Sequence, residues 1–284
     1  MKIFDLHNDF FTSLKTDKQK TKYLLNKKRK DLLEVVSAVW TTELSQGKAI
    51  KTISKCYNYV EVQNSQNNAL RPNLRLAIED MHFVSKNYLY EVINYKPIYC
   101  GLTWNYDNSL AGGANEGGDI TMLGFEVIKQ LEYNDIMIDT AHLSEKSFMT
   151  FSCVTERPIF CSHTAVNSLT KHNRNLKDYQ IKMIKESGGL IGIALVNQFL
   201  TQEKCATVSD IARHIDYIVS RYGEEVVALG TDFYGTKNLP KGIKNYNNLN
   251  LLDQRLKILG YSEQTIENIF YKNAQKFFNK NTLG

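Results

Sequence analysis

The sequence predicts an α/β chain closed into a TIM-like (β/α)8 barrel, on three observations. Eight short apolar runs, rich in β-branched residues, recur along the chain. Longer amphipathic stretches separate them. Each run is apolar on consecutive rather than alternate positions, as expected of parallel strands covered on both faces. Eight such strands with intervening helices fit a barrel better than a doubly wound sheet.

In order, the runs are Lys2–Asp9, Glu34–Trp40, Leu74–Asp80, Pro97–Trp104, Ile136–His142, Pro158–His163, Gly189–Val196 and Val226–Phe233. Helical periodicity fills the gaps, most plainly over Met122–Tyr133, Asp178–Ser187 and Val208–Tyr222. The second of these stops at Gly188-Gly189, a helix C-cap signal. From Asn248 onward the chain reads as a helical C-terminal extension interrupted at Gly260. No linker, repeat or low-complexity segment divides it, so one barrel domain is expected over residues 1–284.

Composition narrows the function classes. With 43% hydrophobic and 23% charged residues the chain is globular, which excludes disordered, collagen-like and disulfide-scaffold classes. The net charge of +5 is local. Eight basic residues against one acid, Asp17, lie between Lys15 and Lys30, and the remainder is slightly acidic. That segment reads as solvated surface. A phosphate-binding patch is the alternative, but only Tyr23 interleaves it and no nucleic-acid motif accompanies it. Asp5 and Asp9 interrupt the opening stretch where a signal peptide needs an apolar run. The longest apolar stretch, Gly188–Val196, is half of what spans a bilayer. The five cysteines are unpaired by spacing, with Cys100 and Cys161 inside apolar runs. A cytoplasmic, reducing setting without membrane or nucleic-acid partner is expected.

The six histidines are more informative. In such a barrel the chemistry sits at the C-terminal ends of the strands. The first run ends in His7 and Asp9, the third in Glu79, the fifth in His142, the sixth in His163 and the eighth in Asp232. His7 and Asp9, two apart on a strand, project from one side. Three imidazoles and three carboxylates without thiolate suit catalytic zinc, or manganese or cobalt in its place. So many ligands suit a pair of ions bridged by a carboxylate and a hydroxide, and Glu79, central in the barrel, is the candidate bridge.

DLHND at 5–9, IEDMH at 78–82, GLTWN at 101–105, IDTAHLS at 138–144, CSHT at 161–164, HNRNLKD at 172–178 and GTDFYG at 230–235 occur in that order. Together they resemble the membrane dipeptidase (renal dipeptidase) family of binuclear zinc peptidases on a TIM-like barrel, in its bacterial type. The resemblance implies two zinc ions per chain, His7 and Asp9 on one, His142 and His163 on the other, with Glu79 bridging. It implies Asp232 as the proton-handling carboxylate and Arg174 as the grip on the free carboxylate of a dipeptide substrate. Taken without it, Arg174 reads as a surface residue of a polar loop. His82 and His172 match accessory histidines near the family's site, and His214 reads as structural. Asp5 and Asp139 sit one layer below the ligands, either orienting them or simply buried in pairs.

Two departures stand out. Trp104 occupies the place of a histidine that, in the animal members, steadies the substrate carbonyl oxygen, and Asn105 is the nearby candidate donor. Tyr234 stands where the family commonly has a second aspartate. The expectation is a cytoplasmic zinc dipeptidase. The open alternatives are another metallohydrolase of the amidohydrolase group, acting on lactams, N-acyl amino acids or phosphoesters, or a degenerate barrel without turnover. His7-X-Asp9 in place of His-X-His argues against the first; a homodimer is compatible with every reading.

Overall fold

The computed structural model describes residues 1–12, 32–66 and 72–282. Its strands are β1 (Ile3–Asn8), β2 (Leu32–Trp40), β3 (Asn73–Glu79), β4 (Tyr99–Gly101), β5 (Met137–Asp139), β6 (Phe160–Thr164), β7 (Leu190–Ile193) and β8 (Val227–Leu229). Every neighbouring pair is parallel, and β1 also pairs with β8, which closes the barrel. The expected (β/α)8 architecture is what the chain adopts, with a helical C-terminal region. The lysine-rich segment Lys15–Lys30 lies outside the described residues.

Consecutive apolar positions work because the two faces bury against different partners. On β8, Val227 and Leu229 pack outward while Ala228 faces the barrel axis; Tyr99 and Cys100 of β4 and Phe160 and Cys161 of β6 divide in the same way. The outward set meets the helices α1 (Gln46–Ser65), α2 (Lys86–Asn94), α3 (Met122–Tyr133), α4 (Glu145–Val154), α5 (Asp178–Glu186), short α6 (Asn197–Leu200) and α7 (Val208–Tyr222). Helix α5 ends where the doublet Gly188-Gly189 predicts. Gly188 takes φ +73°, and a Cβ on Gly189 would overlap the carbonyl of Ile159, the residue that leads into β6. None of the helices among the described residues is long and apolar enough to cross a membrane.

The C-terminal extension has a definite task. Helices α8 (Leu249–Ile258), α9 (Glu263–Glu267) and α10 (Asn273–Asn281) follow β8, with Gly260 at φ +92° turning the chain after α8. Helix α10 sends Phe277 and Phe278 into the inward-facing core. Phe278 stacks on Phe4 at 5.6 Å and meets Phe160 edge-on at 5.4 Å. A parallel barrel of small inward side chains such as Ala38, Ala77 and Ala228 needs such a plug. Phe278→Ala should therefore cost about 3–5 kcal/mol, read as a lower denaturation midpoint of the metal-loaded protein. An unchanged midpoint would contradict the plug.

Two strands depart from regular pairing, and on each of them an irregularity falls on a candidate ligand. The β1–β2 register shifts between Asp5 and Asn8, around His7, and the β6–β7 register between Cys161 and Thr164, around His163. Bulges of this kind re-aim side chains near sites. One expectation needs correction: His142 and Asp232 are not strand residues. Strand β5 stops at Asp139 and β8 at Leu229, and each ligand candidate follows three residues later with positive φ, 71° for His142 and 56° for Asp232. The left-handed backbone turns the chain back over the barrel mouth after a three-residue strand.

Candidate metal centre

The barrel mouth opens into a cavity of about 520 Å³ whose lining includes Asp9, Glu79, His142, His163, Arg174 and Asp232. Three histidines aim at its floor, and their outer nitrogens are all occupied. His7 Nδ1 donates to the Tyr99 hydroxyl at 2.8 Å, which in turn donates to the Leu6 carbonyl at 3.1 Å. His142 Nδ1 donates to Asn105 Oδ1 at 2.8 Å. His163 Nδ1 donates to Ser162 Oγ at 2.8 Å, and Ser162 donates to Asp139 Oδ2 at 2.5 Å. Each outer bond places a ring proton on Nδ1, so all three Nε2 atoms point to the interior, as lone pairs on the neutral rings of His142 and His163 and as the second, displaceable N–H on His7.

Those Nε2 atoms face one another and a carboxylate. His142 and His163 bring Nε2 atoms to 2.9 Å, and Glu79 Oε1 lies 2.8 Å from His142, 3.8 Å from His163 and 4.0 Å from His7. The Nε2 of His7 is buried with no hydrogen-bond partner and is 3.7 Å from Asp9 Oδ2. Potential ligand atoms of His7, Glu79 and His163 lie within 4.8 Å of one another, as do those of His7, Asp9 and Asp232. Acceptors crowded this closely in a buried site call for a cation. The nitrogen and oxygen donor set without thiolate fits a divalent ion such as zinc.

The proton affinities express the same demand. Burial, then the negative charges of Asp9 and Asp232, raise Glu79 well above the usual carboxylate range, against His7 and Arg174. Asp232 is pushed up to about 8 by burial, the charge of Asp9 and a hydrogen bond with it. On His7, burial opposes protonation, yet the adjacent carboxylate of Asp9 and the charges of Glu79 and Asp232 push it up to about 10, so a bound cation would displace a proton from its Nε2. His142 and His163 are held neutral, by burial first and then by the positive charges of Arg174 and His7. Glu79 and Asp232 resist ionising because burial strips their hydration and the carboxylate of Asp9 lies beside them.

Below this layer, Asp5 accepts from the Thr231 amide at 2.8 Å, the Thr231 hydroxyl at 2.6 Å, the His7 amide at 3.3 Å and the Tyr246 hydroxyl. It thus ties β1 to the chain leaving β8. Asp139 reaches His163 only through Ser162. Asp9 and Asp232 are held across the same seam, the Asp9 amide on the Phe233 carbonyl at 2.9 Å and the Asp232 amide on the His7 carbonyl at 3.0 Å. Gly235 is required beside them, because a Cβ there would overlap carboxylate oxygens of both.

Arg174 lies on the same wall, 6% exposed despite its loop position. Its Nη2 donates to His163 Nε2 at 2.9 Å, its guanidinium lies 5.5 Å from the centre of the Phe199 ring, and its Nε is buried without a partner. His172 lines the cavity too, accepting from the Arg174 amide at 3.1 Å. His82 does not. It faces the Leu44 carbonyl at 3.0 Å and the Asp80 carboxylate at 3.3 Å, because the left-handed turn at Asp80 carries the chain away from the mouth. His214 is structural, accepting from the Val166 amide and donating to the Leu200 carbonyl, with burial pushing it down to about 4.

Trp104 and Asn105 line the cavity, Trp104 packing 5.9 Å from His142. Sequence reasoning passed over Trp40, Tyr99 and Ser162. Trp40 also lines the cavity, meets Trp104 at 5.7 Å edge-to-face, and has a buried Nε1 without a partner among the described residues. The signal was available: Trp40 closes the second run as Glu79 closes the third.

Comparison with known proteins follows the same lines. The family model for membrane dipeptidase (peptidase family M19) matches residues 17–283. An uncharacterized protein of Klebsiella pneumoniae is 31% identical over 185 residues, 61% of this chain and 68% of that one. An uncharacterized dipeptidase of Schizosaccharomyces pombe is 28% identical over 222 residues, 74% of this chain, and the match spans about half (53%) of the yeast protein. A metallopeptidase of Rhodobacter sphaeroides, solved with a phosphinate mimic of the dipeptide L-Ala-D-Ala, superimposes over 99% of both chains with a TM-score of 0.83 at 18% identity.

Proposed function

The chain belongs to the membrane dipeptidase family, and on that premise we propose that it is a two-zinc dipeptidase acting on free dipeptides. The observation that carries the reading is the convergence of three inward Nε2 atoms on Glu79 beneath a cavity walled by Arg174. In this reading His7 and Asp9 would hold one ion and His142 and His163 the other, with Glu79 as the carboxylate shared between them. A pair of divalent ions supplies Lewis acidity toward the scissile carbonyl and acidifies the attacking water.

The protein's own groups do the rest. Arg174, with guanidinium donors to spare in a buried setting, grips the substrate's terminal carboxylate and limits substrates to a length that reaches the metal ligands. Asp232, half-buried on the opposite seam, takes the proton of the attacking water and returns it to the leaving amine. Asn105, Ser162 and Tyr99 hold the imidazoles in the ligating tautomer. Five free cysteines, three of them buried, fit a reducing cytoplasmic setting.

Chelated protein should hydrolyse neither L,L- nor L,D-dipeptides, and zinc should restore the activity with two ions per chain by elemental analysis. A fully loaded protein inert toward the whole panel would reject the reading. Arg174→Met should raise KM roughly 10–100-fold, from loss of a charge-assisted bond worth about 1.5–3 kcal/mol. Amidating the dipeptide's carboxyl should cost the parent enzyme a similar factor and the variant little. Equal losses in both would remove Arg174 from that role.

A further inference from the structure

We propose that Trp40 is a catalytic residue: its indole N–H donates to the substrate carbonyl oxygen as that oxygen gains negative charge. The inference rests on the dipeptidase reading and deepens it at the point where Trp104 replaces the family's histidine.

Three observations converge on Trp40. The β2–β3 register pairs it with Glu79, and paired residues of parallel strands project from the same face, so its side chain rises beside the central carboxylate. Its Nε1 is a buried donor with no partner among the described residues, on a side chain that lines the cavity. An idle buried N–H costs free energy in the absence of ligand and is recovered only when an acceptor arrives. Trp104 meets it edge-to-face at 5.7 Å with a 69° interplanar angle and itself packs on His142, so the indole is held by a ring already seated on the centre.

Thr41 Oγ1, the hydroxyl next to Trp40, is committed to the Glu79 and Asp80 carbonyls, and Asn105 is anchored on the far side of the mouth by accepting from His142 through Oδ1. Arg174 follows β6, across the closed barrel from β2, where it faces the opposite end of a dipeptide. An indole is donor-only and apolar around its donor, so it recognises an oxygen that gains charge without offering a competing acceptor.

The chain has two tryptophans, so its ¹⁵N spectrum carries two indole N–H resonances, and a Trp→Phe variant at either position assigns both. Titrating the zinc-loaded protein with a phosphinate dipeptide mimic should move the Trp40 indole proton far downfield and the Trp104 proton less. Trp40→Phe, which keeps a ring against Trp104, should lower kcat by about 10²–10³-fold with KM little changed. It should weaken phosphinate binding by a similar factor at unchanged metal content. A bound phosphinate that leaves the Trp40 resonance in place, or a Trp40→Phe enzyme with parental kcat, overturns the inference while leaving the dipeptidase reading intact. Failure of the parent to bind phosphinate or cleave any dipeptide rejects both.

Discussion

Glu79→Gln is expected to leave the barrel folded, to reduce the metal content below two ions per chain, and to lower dipeptide hydrolysis by on the order of 10³-fold or more. Glu79 is the single carboxylate among the described residues within 4.0 Å of all three inward imidazole nitrogens, so it is the group placed to serve two ions. Metal polarisation is worth several kcal/mol of transition-state stabilisation, and each 1.36 kcal/mol is a factor of ten in rate. Glutamine keeps the shape but halves the acceptor capacity and removes the charge. The stability readout runs the other way in metal-free protein. There the carboxyl faces the His142 lone pair at 2.8 Å, and an amide N–H would donate to it. Metal-free Glu79→Gln should be at least as stable as the metal-free parent. Zinc at a hundredfold excess over its dissociation constant should stabilise the parent by about 2.7 kcal/mol, a rise of roughly 5–10 °C in Tm, and the variant by much less. Two tightly held ions and parental kcat in the variant would remove Glu79 from the centre.

How much of this was legible in the sequence depends on how local each feature is. The strands were, because parallel strands buried on both faces leave continuous apolar runs, and β8 shows why: Val227 and Leu229 face helices while Ala228 faces the axis. His7, Glu79 and His163 were also visible, each within or at the end of its run. The positions of His142 and Asp232 were not. Positive φ at a histidine or an aspartate has no compositional mark, unlike the glycine at 188, so the reading carried the fifth run three residues and the eighth run four residues past the strand. The supporting partners were hidden for a different reason. Tyr99 meets His7 across 92 positions and Tyr246 meets Asp5 across 241, and nothing in one chain pairs residues at such separations. The same holds for Phe278, which reads as the buried face of a terminal helix and is the floor of the barrel.

The second large effect concerns Asp232, and it separates two roles the geometry leaves adjacent. Its carboxylate groups with His7 and Asp9 within 4.8 Å, close enough to be a ligand, yet it is half-buried on the cavity wall where a water or an amine could reach it. Asp232→Asn keeps the size and the backbone amide that donates to His7, and removes the ability to accept a proton. A proton-handling Asp232 predicts kcat lower by about 10²–10⁴-fold, KM within a few-fold and two ions still bound. The acidic limb that a carboxylate base imposes on the kcat/KM profile, where protonation silences it as pH falls, should disappear in the variant. A ligand Asp232 predicts the opposite pairing, in which metal is lost and excess zinc restores much of the rate. Retained metal with parental kcat would mean that neither role is Asp232's. The proton would then have to pass through Glu79 or Asp9, the remaining carboxylates of the cluster.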